Sequence, residues 1–113
     1  MDYEKIRNAL IKFRDDRDWK QFHNPKDLAT ALCIEASELE ELFLWKSQED
    51  SYEIWKNDPK VKEEFADVFN YLVLFAETCW IDIEEAVLSK IEKNWQKYPV
   101  EKAKGRSDKY TKL

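Results

Sequence analysis

The chain contains 113 residues, of which 24 are acidic and 19 are basic, and its formal net charge is −5. This length gives one hydrophobic core of ordinary size, so we expect a single domain over residues 1–113. An acidic chain repels a polyanion, which disfavours binding to a nucleic acid polymer. One glycine and three prolines provide few turn residues, and this scarcity favours long helices over strands.

The first predicted helix runs from about Asp2 to Asp16. Its apolar face consists of Tyr3, Ile6, Leu10 and Phe13. Asn24 followed by Pro25 signals a helix start, with asparagine as the N-cap and proline at the first helical position. The second helix therefore begins at Pro25, and its apolar pattern continues to about Trp45.

The polar segment 46–57 is predicted to hold no more than a short helical turn. Asp58 and Pro59 repeat the start signal, and the third helix then extends to about Cys79. Asp82 caps a fourth helix, which Pro99 stops. Residues 99–113 form a basic tail, predicted to be ordered or semi-ordered without a helix. The predicted fold is all-α, a bundle of the four-helix type.

Cys33 and Cys79 are isolated, and neither has a cysteine or histidine at metal-ligand spacing. Each is expected to be a small buried apolar residue. The sequence shows no apolar leader and no stretch long and apolar enough to cross a membrane. We therefore expect a reduced, cytoplasmic protein without a membrane partner.

Two acidic pairs are the most informative feature of the sequence. Glu35 and Glu38 form the first pair, and Glu64 and Asp67 form the second. The spacing i, i+3 puts both carboxylates of a pair on one side of a helix. The first pair also continues the apolar stripe of the second helix. Carboxylates that face a core are costly unless they are paired, protonated or bound to a cation.

Four carboxylates from two helices make an oxygen-rich cage that suits Mg²⁺, with Mn²⁺ as an alternative. A di-iron bundle would need Glu-x-x-His pairs, and the only histidine, His23, lies outside both pairs. The competing explanation is a solvated helix face, since glutamate is a good helix former. Two pairs on successive helices favour the metal site.

A basic face is predicted on the fourth helix, where Lys90, Asn94 and Lys97 lie at spacing i, i+4, i+7. Such a face suits phosphate and sugar contacts beside the metal, and it equally suits an exposed basic stripe.

His23, Trp45 and Tyr71 suit a pocket that stacks a nucleobase, although ordinary packing accounts for each of them as well. If the second helix reaches Trp45, its ring lies ~10 to 15 Å along the axis from the first acidic pair. A nucleoside triphosphate spans a similar distance from its α-phosphate to its base.

The sequence resembles the all-α nucleoside triphosphate pyrophosphohydrolases, the MazG-like superfamily, and most closely the dCTP pyrophosphatase branch. The resemblance covers most of the chain. It is carried by the motifs Glu35-x-x-Glu38 and Glu64-x-x-Asp67, by Phe22-His23-Asn24-Pro25-Lys26-Asp27-Leu28-Ala29 and Glu38-Leu39-Glu40-Glu41-Leu42-Phe43-Leu44-Trp45, and by Ala86-Val87-Leu88-Ser89-Lys90, Tyr98-Pro99-Val100, Gly105-Arg106-Ser107 and Lys109-Tyr110-Thr111.

This resemblance implies Mg²⁺-dependent hydrolysis of a (deoxy)nucleoside triphosphate to the monophosphate and pyrophosphate, by a helical dimer or tetramer whose active sites are completed by a neighbouring chain. It puts metal ligands at Glu35, Glu38, Glu64 and Asp67, nucleotide contacts at Lys90, Asn94 and Tyr98, and base-side residues at His23, Trp45 and Tyr71. Asn70 stands where the family has an aliphatic residue, so the base stays open. The candidates are dCTP, a modified dCTP, or another or a broader range of triphosphates.

The chemistry agrees with these residues, because a bound cation neutralises charge on phosphate oxygens and carboxylates hold that cation. Glu35 or Glu38 orients the attacking water and accepts its proton, and the sequence does not choose between them. With one histidine, a Ser-His or Cys-His arrangement is hardly available. The rival from another class is a non-catalytic helical interaction module, against which four core-facing carboxylates argue.

Five Trp, five Tyr and six Phe exceed what one small bundle buries easily. We therefore predict a homo-oligomer, most simply a tetramer built from dimers. The expected partners are the nucleotide substrate and further copies of the chain.

Overall fold

The computed structural model describes residues 1–113 and contains helices but no strand. The helices are α1 (Tyr3–Asp16), α2 (Pro25–Glu41), α3 (Gln48–Asn57), α4 (Lys60–Cys79), α5 (Ile83–Lys97) and α6 (Val100–Ala103), with 3₁₀ turns at Lys20–Phe22 and Tyr110–Lys112. The all-α prediction is confirmed. The chain groups into two compact units, Met1–Trp80 and Ile81–Leu113, and the single domain over 1–113 stays a prediction.

The starts of α2 and α5 follow the capping signals of the sequence, whereas α4 begins at Lys60, one residue later than predicted, with Pro59 as its N-cap and no side-chain bond from that cap. Asn24 Oδ1 accepts a hydrogen bond from the Asp27 N–H at 2.9 Å, and Pro25 is the first residue of α2. Asp82 Oδ1 accepts from the Glu85 N–H at 3.0 Å and caps α5. Each bond satisfies one of the donors that a helix start leaves without an intrahelical partner, which fixes where the helix begins.

The first unit is built on α2 and α4, which pack against each other, while α1 and α3 both pack on α4. Its best-buried apolar side chains are Leu28 of α2 and Val73 and Ala76 of α4. An ion pair ties α1 to α4, since the Arg7 Nε–H and terminal N–H both donate to the Glu77 carboxylate, each at 2.8 Å. The two acidic pairs therefore sit on the two helices that form the core.

The structure differs from the prediction at the end of α2, which stops at Glu41 instead of continuing to Trp45. Beyond it, Phe43 N–H bonds to the Glu40 carbonyl and Leu44 N–H to the Glu41 carbonyl, so the chain tightens into turns. Trp45 then adopts a left-handed conformation with φ +61° and is 93% exposed. The axial distance predicted for Trp45 therefore fails, because it assumed a continuous helix.

Two further segments contain more helix than predicted. The segment 46–57 was expected to hold only a short turn, but it contains the ten-residue helix α3, capped by the Ser47 hydroxyl accepting from the Asp50 N–H at 3.1 Å. The tail was expected to lack a helix, but it contains α6 and a 3₁₀ turn. In that turn, Tyr110 meets Tyr98 edge to face with ring centroids 6.0 Å apart.

The buried face of α1 differs from the predicted one at its C-terminal end. Phe13 is half exposed, whereas its neighbour Arg14 is only 6% exposed. Tyr3, Ile6 and Leu10 of the predicted face are half-buried as expected, and Arg14 takes the inner place predicted for Phe13. Cys33 is exposed, contrary to expectation, and Cys79 is half-buried. Among these helices, none combines the length and the apolar character needed to cross a bilayer.

Candidate metal centre

The packing of α2 against α4 brings both acidic pairs together. Oxygen atoms of Glu35, Glu64 and Asp67 all lie within 4.8 Å of one another. Glu38, one turn beyond Glu35, is not part of this closest group, although its charge acts on both Glu35 and Glu64. The carboxylate cluster, as we call these four residues, is therefore a real spatial arrangement of the side chains that the sequence singles out.

Electrostatics within the carboxylate cluster are unfavourable. Burial raises the pKa of Glu35, and the negative charges of Glu38, Asp67 and Glu64 raise it further. Burial likewise raises the pKa of Glu64, followed by the charges of Glu38 and Asp67. None of the ion pairs of the chain includes any of these four carboxylates. The cluster thus gathers negative charge with no lysine or arginine to balance it.

Two oxygen atoms of the cluster have no hydrogen-bond partner. Glu35 Oε2 and Glu64 Oε2 are both buried and unpaired. Buried polar atoms in folded proteins nearly always have a partner, so such atoms indicate a bound group. An all-oxygen donor set of carboxylates fits a hard divalent cation and not a soft one. The cluster is therefore suited to hold a divalent metal ion.

Tyr71 lies one turn after Asp67 on α4 and is half-buried. Burial raises the pKa of its phenol, and the charges of Glu35, Asp67 and Glu38 add to the effect. Tyr71 therefore stands beside the carboxylate cluster.

His23 lies in the 3₁₀ turn region before α2 and is half-buried, with Nδ1 buried and unpaired. Burial lowers the pKa of its imidazole, and the positive charge of Arg14 lowers it further. Trp45, in contrast, contacts little of its own chain at 93% exposure. The structure therefore brings Tyr71 to the carboxylate cluster, leaves His23 half-buried away from it, and exposes Trp45 to solvent.

The basic candidates all belong to the second unit. Lys90, Asn94 and Lys97 are exposed on α5, and the positive charge of Lys97 is the main cause that lowers the pKa of Lys90. Lys97 Nζ lies 4.9 Å from the ring centroid of Tyr110, and Tyr110 in turn packs on Tyr98. The tail thus contacts Lys97 and Tyr98, a link that sequence reasoning missed.

Arg14 is the other residue that sequence reasoning missed. It is the one charged side chain that the structure buries to 6% exposure, and it acts on the imidazole of His23. The available signal was its place in the helical series Tyr3, Arg7, Leu10 and Arg14, which a search for apolar residues passes over.

Comparison with known proteins gives a consistent result. The model of the MazG-like family matches residues 30–113. The chain is similar to dCTP pyrophosphatase 1 of Mus musculus, at 44% identity over 97% of this chain and 66% of the relative. The Homo sapiens dCTP pyrophosphatase 1 is 42% identical over the same shares. The chain therefore spans about two thirds of the length of these relatives.

A solved structure is also similar. A pyrophosphatase from Archaeoglobus fulgidus superposes with a TM-score of 0.80 at 41% sequence identity, and the match covers 85% of this chain and 91% of that one.

Proposed function

Since the chain belongs to the MazG-like family, we propose that it hydrolyses a deoxynucleoside triphosphate, with dCTP or a modified dCTP as the preferred substrate, to the monophosphate and pyrophosphate. The single observation that carries this proposal is the carboxylate cluster, with its two buried and unpaired glutamate oxygens. The names of the similar pyrophosphatases support the reaction, and the dCTP pyrophosphatases support the base.

Mg²⁺, or Mn²⁺ in its place, is the proposed cofactor, and Glu35, Glu64 and Asp67 would hold it with help from Glu38. When bound, such a cation neutralises charge on the phosphate oxygens and makes water more acidic. The unpaired oxygens of Glu35 and Glu64 are the atoms that fit it, because each offers a lone pair that no group of the chain uses.

Glu38 is the residue we propose to orient the attacking water and to accept its proton. The closest group of oxygens comes from the other three carboxylates, so Glu38 lies at the edge of the cluster. It lies near enough to act on Glu35 and Glu64, so a water bound by Glu38 would be next to the proposed metal site. Glu35 remains the alternative for this task.

The nucleotide contacts follow from the resemblance. Tyr71 and His23 would line the base and sugar side, and Lys90, Asn94 and Tyr98 would bind phosphate and sugar. A screen of pyrophosphate release across the eight common NTPs and dNTPs, with 5-methyl-dCTP added, tests the activity and the base together. Turnover confined to cytosine nucleotides supports the proposal, turnover of all eight points to a broad family member, and no turnover points to a non-catalytic module.

A homo-oligomer, dimer or tetramer, is part of the proposal. Large apolar side chains are exposed on α4 and α5, among them Phe65 at 64% and Trp95 at 63%. Soluble monomers rarely expose so much apolar surface, so further copies of the chain are the partner that would cover it. Trp45 would then meet the base bound by a neighbouring chain. Light scattering that finds a monomer at micromolar concentration would refute this assembly.

A further inference from the structure

The segment that follows α5 folds back onto the end of that helix. Pro99 separates α5 from α6, and Gly105 then adopts a left-handed conformation with φ +74°, which glycine reaches without the steric cost of a side chain. Further on, the Arg106 Nε–H donates to Asp108 Oδ2 at 2.9 Å. After this reversal, the 3₁₀ turn Tyr110–Lys112 lies against the last residues of α5.

The Tyr110 ring joins two neighbouring side chains at the end of α5. Lys97 Nζ lies 4.9 Å from its ring centroid, a cation–π contact. The Tyr98 ring meets it edge to face, with centroids 6.0 Å apart and planes at 80°. Lys97 is the last residue of α5 and Tyr98 is its C-cap, whose N–H donates to the Asn94 carbonyl at 2.9 Å. The helix therefore fixes the backbone of both residues, and Tyr110 contacts their side chains.

Tyr98 is a side chain that gains from such a contact. It is 37% exposed, so a ligand can reach it from solvent. Its backbone has already left the helical conformation, with φ −123° and ψ 68°. An exposed side chain samples several rotamers and loses that freedom when a ligand binds, which weakens binding. A neighbouring ring that selects one rotamer beforehand removes part of this loss.

We propose that Tyr110 is a positioning residue for nucleotide binding, because its ring holds the Tyr98 side chain and Lys97 holds Tyr110 in turn. The inference rests on the proposed function, in which Tyr98 contacts phosphate or sugar. Tyr110 itself needs no contact with the nucleotide. Since Tyr98 is held in the same way before and during the reaction, the contact strengthens substrate binding and leaves the chemical step unchanged.

The test compares the full chain with Tyr110→Leu, which removes the ring and keeps an apolar side chain, on dCTP with Mg²⁺. KM should rise by ~2- to 12-fold, equivalent to about 0.5–1.5 kcal/mol for one ring contact, while kcat changes by less than about twofold. Tyr110→Phe keeps the ring and should retain the wild-type KM. Tyr52→Leu is the matched control, because it makes the same exchange at an exposed tyrosine of α3.

A second pair of variants tests whether Tyr110 acts through Tyr98. Tyr98→Phe keeps the ring contact and removes the hydroxyl, so it should raise KM by itself. In that background, Tyr110→Leu should change KM by less than about 1.5-fold, because the contact it positions is already lost. Calorimetry with dCMP, without added metal, provides a readout independent of turnover, and its Kd should follow the same pattern.

Lys97→Met covers the case in which Tyr110→Leu does not fold. It removes the cation over the Tyr110 ring and leaves both rings in place. KM for dCTP should again rise in the wild-type background and stay constant in the Tyr98→Phe background. A rise in both backgrounds would identify Lys97 as a separate phosphate contact and would overturn its role in holding Tyr110.

A Tyr110→Leu variant with a lower melting temperature and an unchanged KM would overturn the inference in favour of a structural role. Equal increases of KM in the wild-type and Tyr98→Phe backgrounds would overturn it in favour of direct contact between Tyr110 and the nucleotide. In both cases wild-type turnover leaves the proposed function intact. Failure of the wild type to hydrolyse any nucleotide defeats the proposed function, and this inference with it.

Discussion

The carboxylate cluster between α2 and α4 and the lysines along α5 are both groups of like charge on helix faces, but they differ in burial. Lys90 and Lys97 are exposed, and the pKa of Lys90 falls mainly because Lys97 is nearby. The pKa of Glu35 rises first because of burial and only then because of its acidic neighbours. Water solvates the lysines, whereas it does not reach the Oε2 atoms of Glu35 and Glu64.

This difference shows what distinguishes a site from a charged surface. Each exposed ammonium group on α5 finds partners in water, so the stripe is stable without a ligand. The oxygens Oε2 of Glu35 and Glu64 have neither water access nor a protein donor, so they gain most from a bound cation. Charge alone does not show which of the two regions binds a ligand. The buried and unpaired oxygen atoms identify the carboxylate cluster as the stronger candidate.

The largest expected effect comes from metal removal. Because the carboxylate cluster lacks any basic partner, turnover should vanish in EDTA and return when Mg²⁺ or Mn²⁺ is added in excess. Pyrophosphate release measured before and after re-addition is the assay. Full activity in EDTA would remove the distinction between the two regions, because neither would then need a cation.

Substitution within the cluster comes next. Glu38→Gln keeps the size of the side chain and removes its charge, and it should lower kcat by at least about a hundredfold. Glu40→Gln is the control, since Glu40 is exposed on the same helix and should leave kcat unchanged within about twofold. Single-turnover kinetics with saturating dCTP would separate this loss from weaker binding. A Glu38→Gln enzyme as active as wild type would exclude Glu38 from the chemistry.

The basic region is tested by Lys90→Met against Lys93→Met on the same helix. If Lys90 binds phosphate, loss of a charged hydrogen bond worth about 1.5–3 kcal/mol raises KM by ~10- to 150-fold. Lys93→Met should change KM by less than about threefold. Equal, small effects of both variants would identify the face as a solvated stripe, as its exposure alone suggests.

The smallest expected effect is on stability without metal. Glu35→Gln removes one of four crowded negative charges, so its melting temperature in EDTA should exceed that of wild type by about 2–4 °C. Addition of Mg²⁺ should stabilise wild type and not the variant. Differential scanning fluorimetry with and without Mg²⁺ measures both changes, with Glu40→Gln as the control. A variant less stable than wild type in EDTA would show that the carboxylates do not repel one another.

The sequence predicts those parts of the fold that depend on local chemistry. The side chains of Asn24 and Asp82 cap helices where expected, because an N-cap needs only one short polar side chain and a nearby N–H. The two acidic pairs could be predicted for a similar reason, since the spacing i, i+3 places both carboxylates of a pair on the same side of their helix. That α2 and α4 then meet follows from the apolar faces of both helices.

Other features depend on tertiary packing and could not be predicted from the sequence. The end of α2 at Glu41 carries no glycine or proline, and the left-handed turn uses Trp45, a residue type that rarely adopts it. Arg14 is buried although it is charged, and a pattern of apolar residues favours Phe13 in that place. The link between Tyr98 and Tyr110 joins residues on two sides of a loop, which no periodicity encodes.

The bidentate bond between Arg7 and Glu77 affects the order in which the helices unfold locally. α2 and α4 share the core, whereas α1 is fastened to α4 by this pair and a narrow apolar seam. Amide hydrogens of α1 should therefore exchange with solvent faster than those of α2 and α4, as a separate cooperative unit. Since α1 carries Arg14, a local opening would expose this buried guanidinium to solvent while the carboxylates stay in place. Glu77→Gln should accelerate exchange across α1 and leave the centre of α4 protected.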